Sequence, residues 1–295
     1  MEEYLITDSE FKAFRDLIYS KTGINLSDAK RALLRSRLQK RLRFHGVASF
    51  AEYFELISAQ GDSGDEIVEM INCVTTNKTD FFREPHHFEH IRDKVLPEIV
   101  EKAEKGELPY KLRIWHAGCS TGEEPYTMAM VLCEFFGAQI ARWDIRLLAS
   151  DLDTNVLAHA TAGVYDAERI EPVSEALRKR YFLQGTGAQA GLYKVKTELQ
   201  EMITLKQINL LSRPWPIHPS VRFDLLFCRN VVIYFDKPTQ RTLFARYREH
   251  LRPGGTLIIG HSESLLGISD DFENLGRTIY KLPETAIGHL RKAAA

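Results

Sequence analysis

The clearest chemistry in this sequence lies in two carboxylate positions that follow strand-like runs. The turn Gly118-Cys119-Ser120-Thr121-Gly122 follows the run Leu112–Ala117 and opens a helical run, Tyr126–Phe136. On spacing alone it reads equally well as an ordinary connection between a strand and a helix. Two glycines there carry no Cβ, so backbone can approach a ligand closely. The turn lacks the Gly-Lys-Ser/Thr of a phosphate loop, and Glu123 and Glu124 follow it, so a pyrophosphate would be repelled. Carboxylates there suit a cationic, hydroxyl-bearing ligand. Asp151 ends a second strand-like run, Ile145–Ser150, where an acid accepts hydrogen bonds from ribose hydroxyls. Its competing role, capping the helix Asn155–Thr161, suits Asp153 better. A ribose-bearing, positively charged ligand without phosphate points to S-adenosyl-L-methionine. The cysteines, Cys73, Cys119, Cys133 and Cys228, lie far apart without a Cys-x-x-Cys, so neither a metal site nor a disulfide frame is expected.

The elements that must position these groups divide the chain. The first 70 or so residues read as a four-helix domain. Capping boxes pair Thr7 with Glu10, Ser49 with Glu52 and Ser63 with Glu66, and Gly23 and Gly46 sit at helix ends. Phe11, Phe14, Leu17 and Ile18 give the first helix one apolar face. After Pro109, strand-like runs alternate with helical ones. Phe223–Phe227 and Gly255–Ile259 are two further buried strands, separated by a helix over Pro238–Leu251 and a turn at Arg252–Gly255. Phe272–Leu282 reads as a closing hairpin. This alternation predicts a mainly parallel α/β sheet with ligands at the strand C-terminal ends. Gly185–Leu205 departs from it and reads as a small antiparallel insertion.

The 295 residues carry 39 Lys and Arg against 40 Asp and Glu, a net charge of −1. That balance argues against a protein that coats nucleic acid, while leaving room for local charged faces. The longest stretch free of charged residues, Tyr181–Tyr193, is 13 residues, short of the roughly 20 a membrane span requires. The N-terminus lacks the pattern of a signal peptide, and a cytoplasmic location is expected. From Lys30 to Arg43 there are seven basic residues and no acids, whereas Phe44–Asn77 holds six acids and no Lys or Arg. Leu33, Leu34, Leu38 and Leu42 form a separate apolar stripe, which frees the basic residues to face outward.

Six strings, in order, make a resemblance specific. They are Thr76-Asn77-Lys78-Thr79-Asp80-Phe81-Phe82-Arg83-Glu84, GCSTGEEPY (118–126), ASDLDT (149–154), Ile208-Asn209-Leu210-Leu211, Cys228-Arg229-Asn230-Val231-Val232-Ile233-Tyr234-Phe235 and Gly260-His261-Ser262-Glu263. Together they resemble the CheR family of chemotaxis receptor methyltransferases, from about residue 8 to residue 282. The resemblance implies an N-terminal all-helical domain (1–72), a linker that lends residues to the active site (73–92), and a class I, Rossmann-like methyltransferase domain (93–283). It also implies a β-subdomain inserted at 185–205 and a tail over 284–295.

By the same resemblance, Asn77, Thr79 and Arg83 contact S-adenosyl-L-methionine from the linker. Glu124, with Glu123 a less certain neighbour, and Asp151 hold its amino-acid and ribose portions. Asn209 and Leu210 match the adenine region, and Arg229 and Asn230 line the same pocket. Arg83 and Tyr234 match the pair that orients the acceptor carboxylate. The implied reaction methylates glutamate side chains of membrane chemoreceptors and releases S-adenosyl-L-homocysteine. No metal is implied. The basic helix is then expected to dock on acidic receptor helices, and the β-subdomain is a candidate for binding a receptor C-terminal peptide, although Gln189 and Ala190 depart from the charged residues expected there. His116 stands where the family more often has a small residue, and is expected to be buried and satisfied. A monomer without direct membrane insertion is the default. The alternatives are a nucleic-acid methyltransferase and a non-catalytic cofactor-sensing adaptor. The first lacks its Asp/Asn-Pro-Pro-Tyr/Phe string and any cysteine following proline. The second is disfavoured by the match at both the cofactor and acceptor positions.

Overall fold

The computed structural model describes residues 4–61 and 64–284. Four helices open the chain: α1 (Asp8–Thr22), α2 (Arg31–His45), α3 (Phe50–Ala59) and α4 (Asp65–Val74). Thr7 and Glu10 complete the expected capping box, and Ser49 accepts from the Glu52 amide. The third expected box begins at Ser63, outside the described residues. Gly23 and Gly46 end α1 and α2 in the left-handed conformation. Phe11, Phe14, Leu38, Phe50, Tyr53 and Met70 fill the core of this domain.

From Thr75 the chain leaves α4 extended. It turns at Phe82 and Glu84, both at positive φ, into α5 (Pro85–His90). A π-helical turn (Ile91–Val95) leads on to α6 (Leu96–Glu104). Phe81, Phe88 and Ile91 already pack in the cluster that covers one face of the main sheet, so this half of the connection is built into the second domain's core.

The main sheet has seven strands in the order β6-β2-β1-β7-β8-β10-β9. They are β1 (Lys111–Ala117), β2 (Asp144–Asp151), β6 (Ile203–Gln207), β7 (Phe223–Cys228), β8 (Leu251–Ile259), β9 (Glu273–Gly276) and β10 (Ile279–Lys281). Those from β6 to β8 run parallel, and the closing hairpin β9–β10 is antiparallel. All of β7 and most of β1 are buried, as a sheet covered on both faces requires. Tyr126, Leu132 and Phe227 belong to one covering layer, and Trp115, Tyr247 and Leu257 to the other. The strand order reverses between β1 and β7, which places a crevice at their C-terminal ends.

Two expectations are corrected. Arg252–Gly255 is no free turn but part of β8, accommodated by a register shift where Phe223 pairs with Leu251 and Leu225 with Thr256. The small antiparallel sheet is built from β3 (Val164–Asp166), β4 (Phe182–Gln184) and β5 (Leu192–Val195), in the order β3-β5-β4. It therefore begins upstream of the expected 185–205 insertion. Residues Ile203–Leu205 belong instead to β6, which pairs with β2 in the main sheet.

Candidate active site

Helix α7 (Glu123–Phe136) starts three residues earlier than its apolar pattern suggests, because Pro125 sits in the first turn, where no backbone donor is needed. This brings Glu123 and Glu124 to the turn after β1. Gly118 and Gly122 both take positive φ. A Cβ on Gly118 would come within 2.4 Å of Val231, and one on Gly122 within 2.9 Å of Ala160 and Tyr165. The glycines thus let the turn pack against its own protein, a different reason from close approach to a ligand. At the end of β2, Asp151 accepts the Ser120 amide at 2.8 Å and the Asp153 amide at 3.1 Å. Asp153 caps α8 (Thr154–Ala162), accepting from Asn155 and Val156, which leaves Asp151 for the cavity.

A cavity of about 420 Å³ lies over these strand ends. Asn77, Thr79 and Arg83 line it from the extended connection, and Glu124 and Asp151 from the turns after β1 and β2. Asn209 and Leu210 follow β6, while Arg229, Asn230 and Tyr234 follow β7. All ten residues singled out in the sequence therefore face one space. Glu123 faces away, pairing with Arg169 and accepting from Thr121 at 2.7 Å.

The two acids differ electrostatically. Burial pushes the Glu124 carboxyl up, but the hydrogen bond with His116 and the Arg229 charge outweigh it, so it lies below its usual value. Burial dominates at Asp151 and raises its carboxyl despite the backbone amides. Glu124 Oε1 is 2.8 Å from His116 Nδ1, and Arg229 Nη1 donates to Oε2 at 3.0 Å. Arg229 Nη2 donates to the Arg83 carbonyl at 2.5 Å and lies 3.2 Å from Glu84. His261 Nδ1 stands 2.8 Å from the other Glu84 oxygen. Glu263 is half of a second brace: its carboxylate accepts the amides of Asn230 at 2.9 Å and Gly260 at 2.6 Å. Ser120 and Asn230, which line the cavity, hold positive φ, so strained backbone lies in its wall.

The sequence reading missed the N-terminal domain's share in this site. Ile24, Leu26, Lys30, Leu33 and Arg37 also line the cavity. Asn209 donates to the Lys21 carbonyl at 2.6 Å, and the Asn25 amide donates to the Tyr234 carbonyl at 2.8 Å, tying the two domains at its rim. Nor is the basic helix a uniformly outward face. Arg37 donates to the carbonyls of Val74 at 2.5 Å and Thr75 at 2.9 Å. Arg41 forms an ion pair with Glu66, whose side chain is only 4% exposed and also accepts from Tyr53 at 2.5 Å. Lys30, Lys40 and Arg43 are the exposed members. The expectation of a satisfied His116 holds at one nitrogen only, because Nε2 is buried without a partner.

The residues present fit the expected ligand. Ionised Glu124 and its unfilled lone pairs suit an ammonium group, and Asp151 retains acceptor capacity for hydroxyls. Among the described residues no cluster could hold a metal ion, and no helix is long and apolar enough to cross a membrane.

Comparison with known proteins falls on the same two domains. The model of the CheR methyltransferase all-alpha domain matches residues 9–75, and that of the CheR methyltransferase SAM binding domain matches residues 77–281. A probable chemotaxis protein methyltransferase of Rhizobium etli is 41% identical over 278 residues, 94% of this chain and 100% of that protein. Chemotaxis protein methyltransferase 2 of Pseudomonas aeruginosa is 42% identical over 281 residues, covering 95% of each chain. The chemotaxis protein methyltransferase of Escherichia coli is 38% identical over 281 residues, 95% of this chain and 93% of that one. Matched across both its domains, the chain belongs to the CheR methyltransferase family and takes S-adenosyl-L-methionine as its methyl donor.

Proposed function

We propose that this protein methylates glutamate side-chain carboxylates of membrane chemoreceptors, forming glutamate methyl esters in chemotaxis adaptation. The observation that carries this reading is the convergence of Arg83 and Tyr234 on the same cavity as Glu124 and Asp151. Relatives called chemotaxis protein methyltransferases, similar over nearly their whole length, support it.

S-adenosyl-L-methionine supplies an electrophilic methyl group on a sulfonium. The acceptor glutamate is ionised at neutral pH, with a reference pKa near 4.3, so the protein needs no general base. Its task is to position the carboxylate in line and strip water from it. Arg83 offers a guanidinium fork that matches a carboxylate, and Tyr234 offers a hydroxyl. Arg83 Nη1 donates to the Lys78 carbonyl at 2.7 Å, which anchors the side chain at one nitrogen and leaves others for an acceptor. Arg83 orients in this reading rather than activates, since too strong a pair would quench the nucleophile.

Asn77 and Thr79 contact the donor from the connection. Glu124 holds its amino group, Asp151 its ribose hydroxyls, and Asn209 and Leu210 its adenine, with Arg229 and Asn230 supporting the wall. The exposed bases of α2 steer acidic receptor helices towards the rim, where Lys30 and Leu33 lie. The β3–β5–β4 sheet is the candidate site for a receptor C-terminal peptide. Receptor cytoplasmic helices as substrate make the cytoplasm the place of action.

A filter assay with labelled S-adenosyl-L-methionine tests this reading. Receptor cytoplasmic fragments should take up label, while DNA and RNA should not. Label on nucleic acid, or on neither, would overturn it.

A further inference from the structure

His116 is fully buried on β1, with its ring stacked on Phe227 at a centroid distance of 4.5 Å. It does not line the cavity; it stands behind Glu124. Its Nδ1 lies 2.8 Å from Glu124 Oε1, and Nε2 has no partner. An ionised carboxylate only accepts, so Nδ1 carries a proton and donates it. A purely space-filling residue would not bring a bare, buried nitrogen, which is a net cost. The gain that offsets this cost is a charge-assisted hydrogen bond to a carboxylate facing the cavity. On the opposite side Arg229 Nη1 donates to Oε2 at 3.0 Å. Each Glu124 oxygen is therefore held by one fixed donor, and the carboxylate cannot rotate without breaking both bonds.

We infer that His116 is a positioning residue for the donor's amino-acid portion: by fixing Glu124, it makes the cavity select ligands that carry an ammonium group. This rests on the reading that Glu124 holds that group. The selectivity is a difference in affinity between S-adenosyl-L-homocysteine, which has the amino-acid tail, and 5′-methylthioadenosine, which lacks it. A carboxylate free to turn would lose part of its grip on the tail and none on the nucleoside.

Calorimetric titration of both ligands separates the possibilities. His116→Phe keeps the ring stack and removes the donor, whereas His116→Asn returns a donor near the Nδ1 position. With His116→Phe, S-adenosyl-L-homocysteine should bind about tenfold more weakly and 5′-methylthioadenosine within twofold of the unaltered protein. His116→Asn should recover most of the loss. Equal weakening of both ligands would overturn the inference in favour of a packing role. So would unchanged binding of both, provided Glu124→Gln still weakens S-adenosyl-L-homocysteine alone. If Glu124→Gln changes neither ligand, the assignment of Glu124 itself falls, and the inference with it.

Discussion

Arg229 and Glu124 form a buried ion pair at 3.0 Å that joins the strand end of β7 to the first turn of α7. The guanidinium also lies 3.2 Å from Glu84, so one cation stands between two carboxylates, and it fixes the Arg83 carbonyl as well. Arg229→Met should therefore destabilise the protein by about 3–5 kcal/mol, because two largely buried anions lose their partner. Urea denaturation measures this. A loss under about 1 kcal/mol would mean the carboxylates are relieved by water instead.

Glu84 and His87 give stability a defined pH dependence. Burial pushes the Glu84 carboxyl up, but the Arg229 charge and the His261 hydrogen bond bring it down to about 2, against a usual 4.5. Burial, then the Arg229 charge, lowers His87 from 6.5 to about 4. Its Nε2 lies 3.0 Å from the Arg277 carbonyl and 3.1 Å from the Thr278 hydroxyl, and Nδ1 is 3.3 Å from Glu84 without completing a hydrogen bond. Both groups bind protons more readily when unfolded, so each loses its stabilising contribution as pH falls. His87 acts between about 6.5 and 4, and Glu84 between about 4.5 and 2. Denaturation midpoints should fall on acidification below pH 6.5, and His87→Phe should flatten the slope between 6.5 and 4. An unchanged slope in that variant would contradict the assignment.

The proposed function gives the charge on α2 two separable roles. Arg41→Ala leaves the buried Glu66 carboxylate with only Tyr53 and His45 as partners and should cost about 3 kcal/mol in folding stability. Lys40→Glu and Arg43→Glu alter exposed positions and should leave stability within about 0.5 kcal/mol. The same two changes should slow receptor methylation several-fold at low salt, and the deficit should shrink as salt screens the field. Equal rates for the reversed and unaltered proteins at low salt would remove α2 as a docking surface.

Arg83 and Asp151 should fail differently. Arg83→Ala is expected to lower turnover about a hundredfold while retaining most donor affinity, because orientation and not binding is lost. Asp151→Ala should weaken donor binding tenfold or more, losing the hydrogen bonds its carboxyl accepts and loosening the turn that Ser120 anchors. Calorimetry alongside steady-state rates resolves the two. Parallel losses in both variants would refute the division of roles.

Glu124 and Asp151 are legible from local pattern because they follow strand ends, whereas the other eight cavity residues are legible only through the resemblance to the CheR family. Asp151 and Asp153 illustrate this: of two acids two residues apart, Asp151 lines the cavity and Asp153 caps α8, as helix-cap chemistry predicts for the second. Arg41 shows what was not readable. Its partner Glu66 is 25 residues away, so an acid of the neighbouring stretch partly neutralises the basic helix in space. Strand β3 is three residues long, too short for an alternating pattern, which is why the small sheet was placed too late in the chain. The part played by Ile24, Leu26 and Arg37 in the cavity depends on how two domains meet, and no local pattern encodes that.

In the proposed reaction the acceptor atom is a glutamate carboxylate oxygen. Peptide mapping of a labelled receptor cytoplasmic fragment, before and after mild alkali, tests it most directly. The label should lie on glutamate side chains and leave as methanol in base, as an ester does. Label that survives alkali, or maps to nitrogen-bearing side chains, would contradict it.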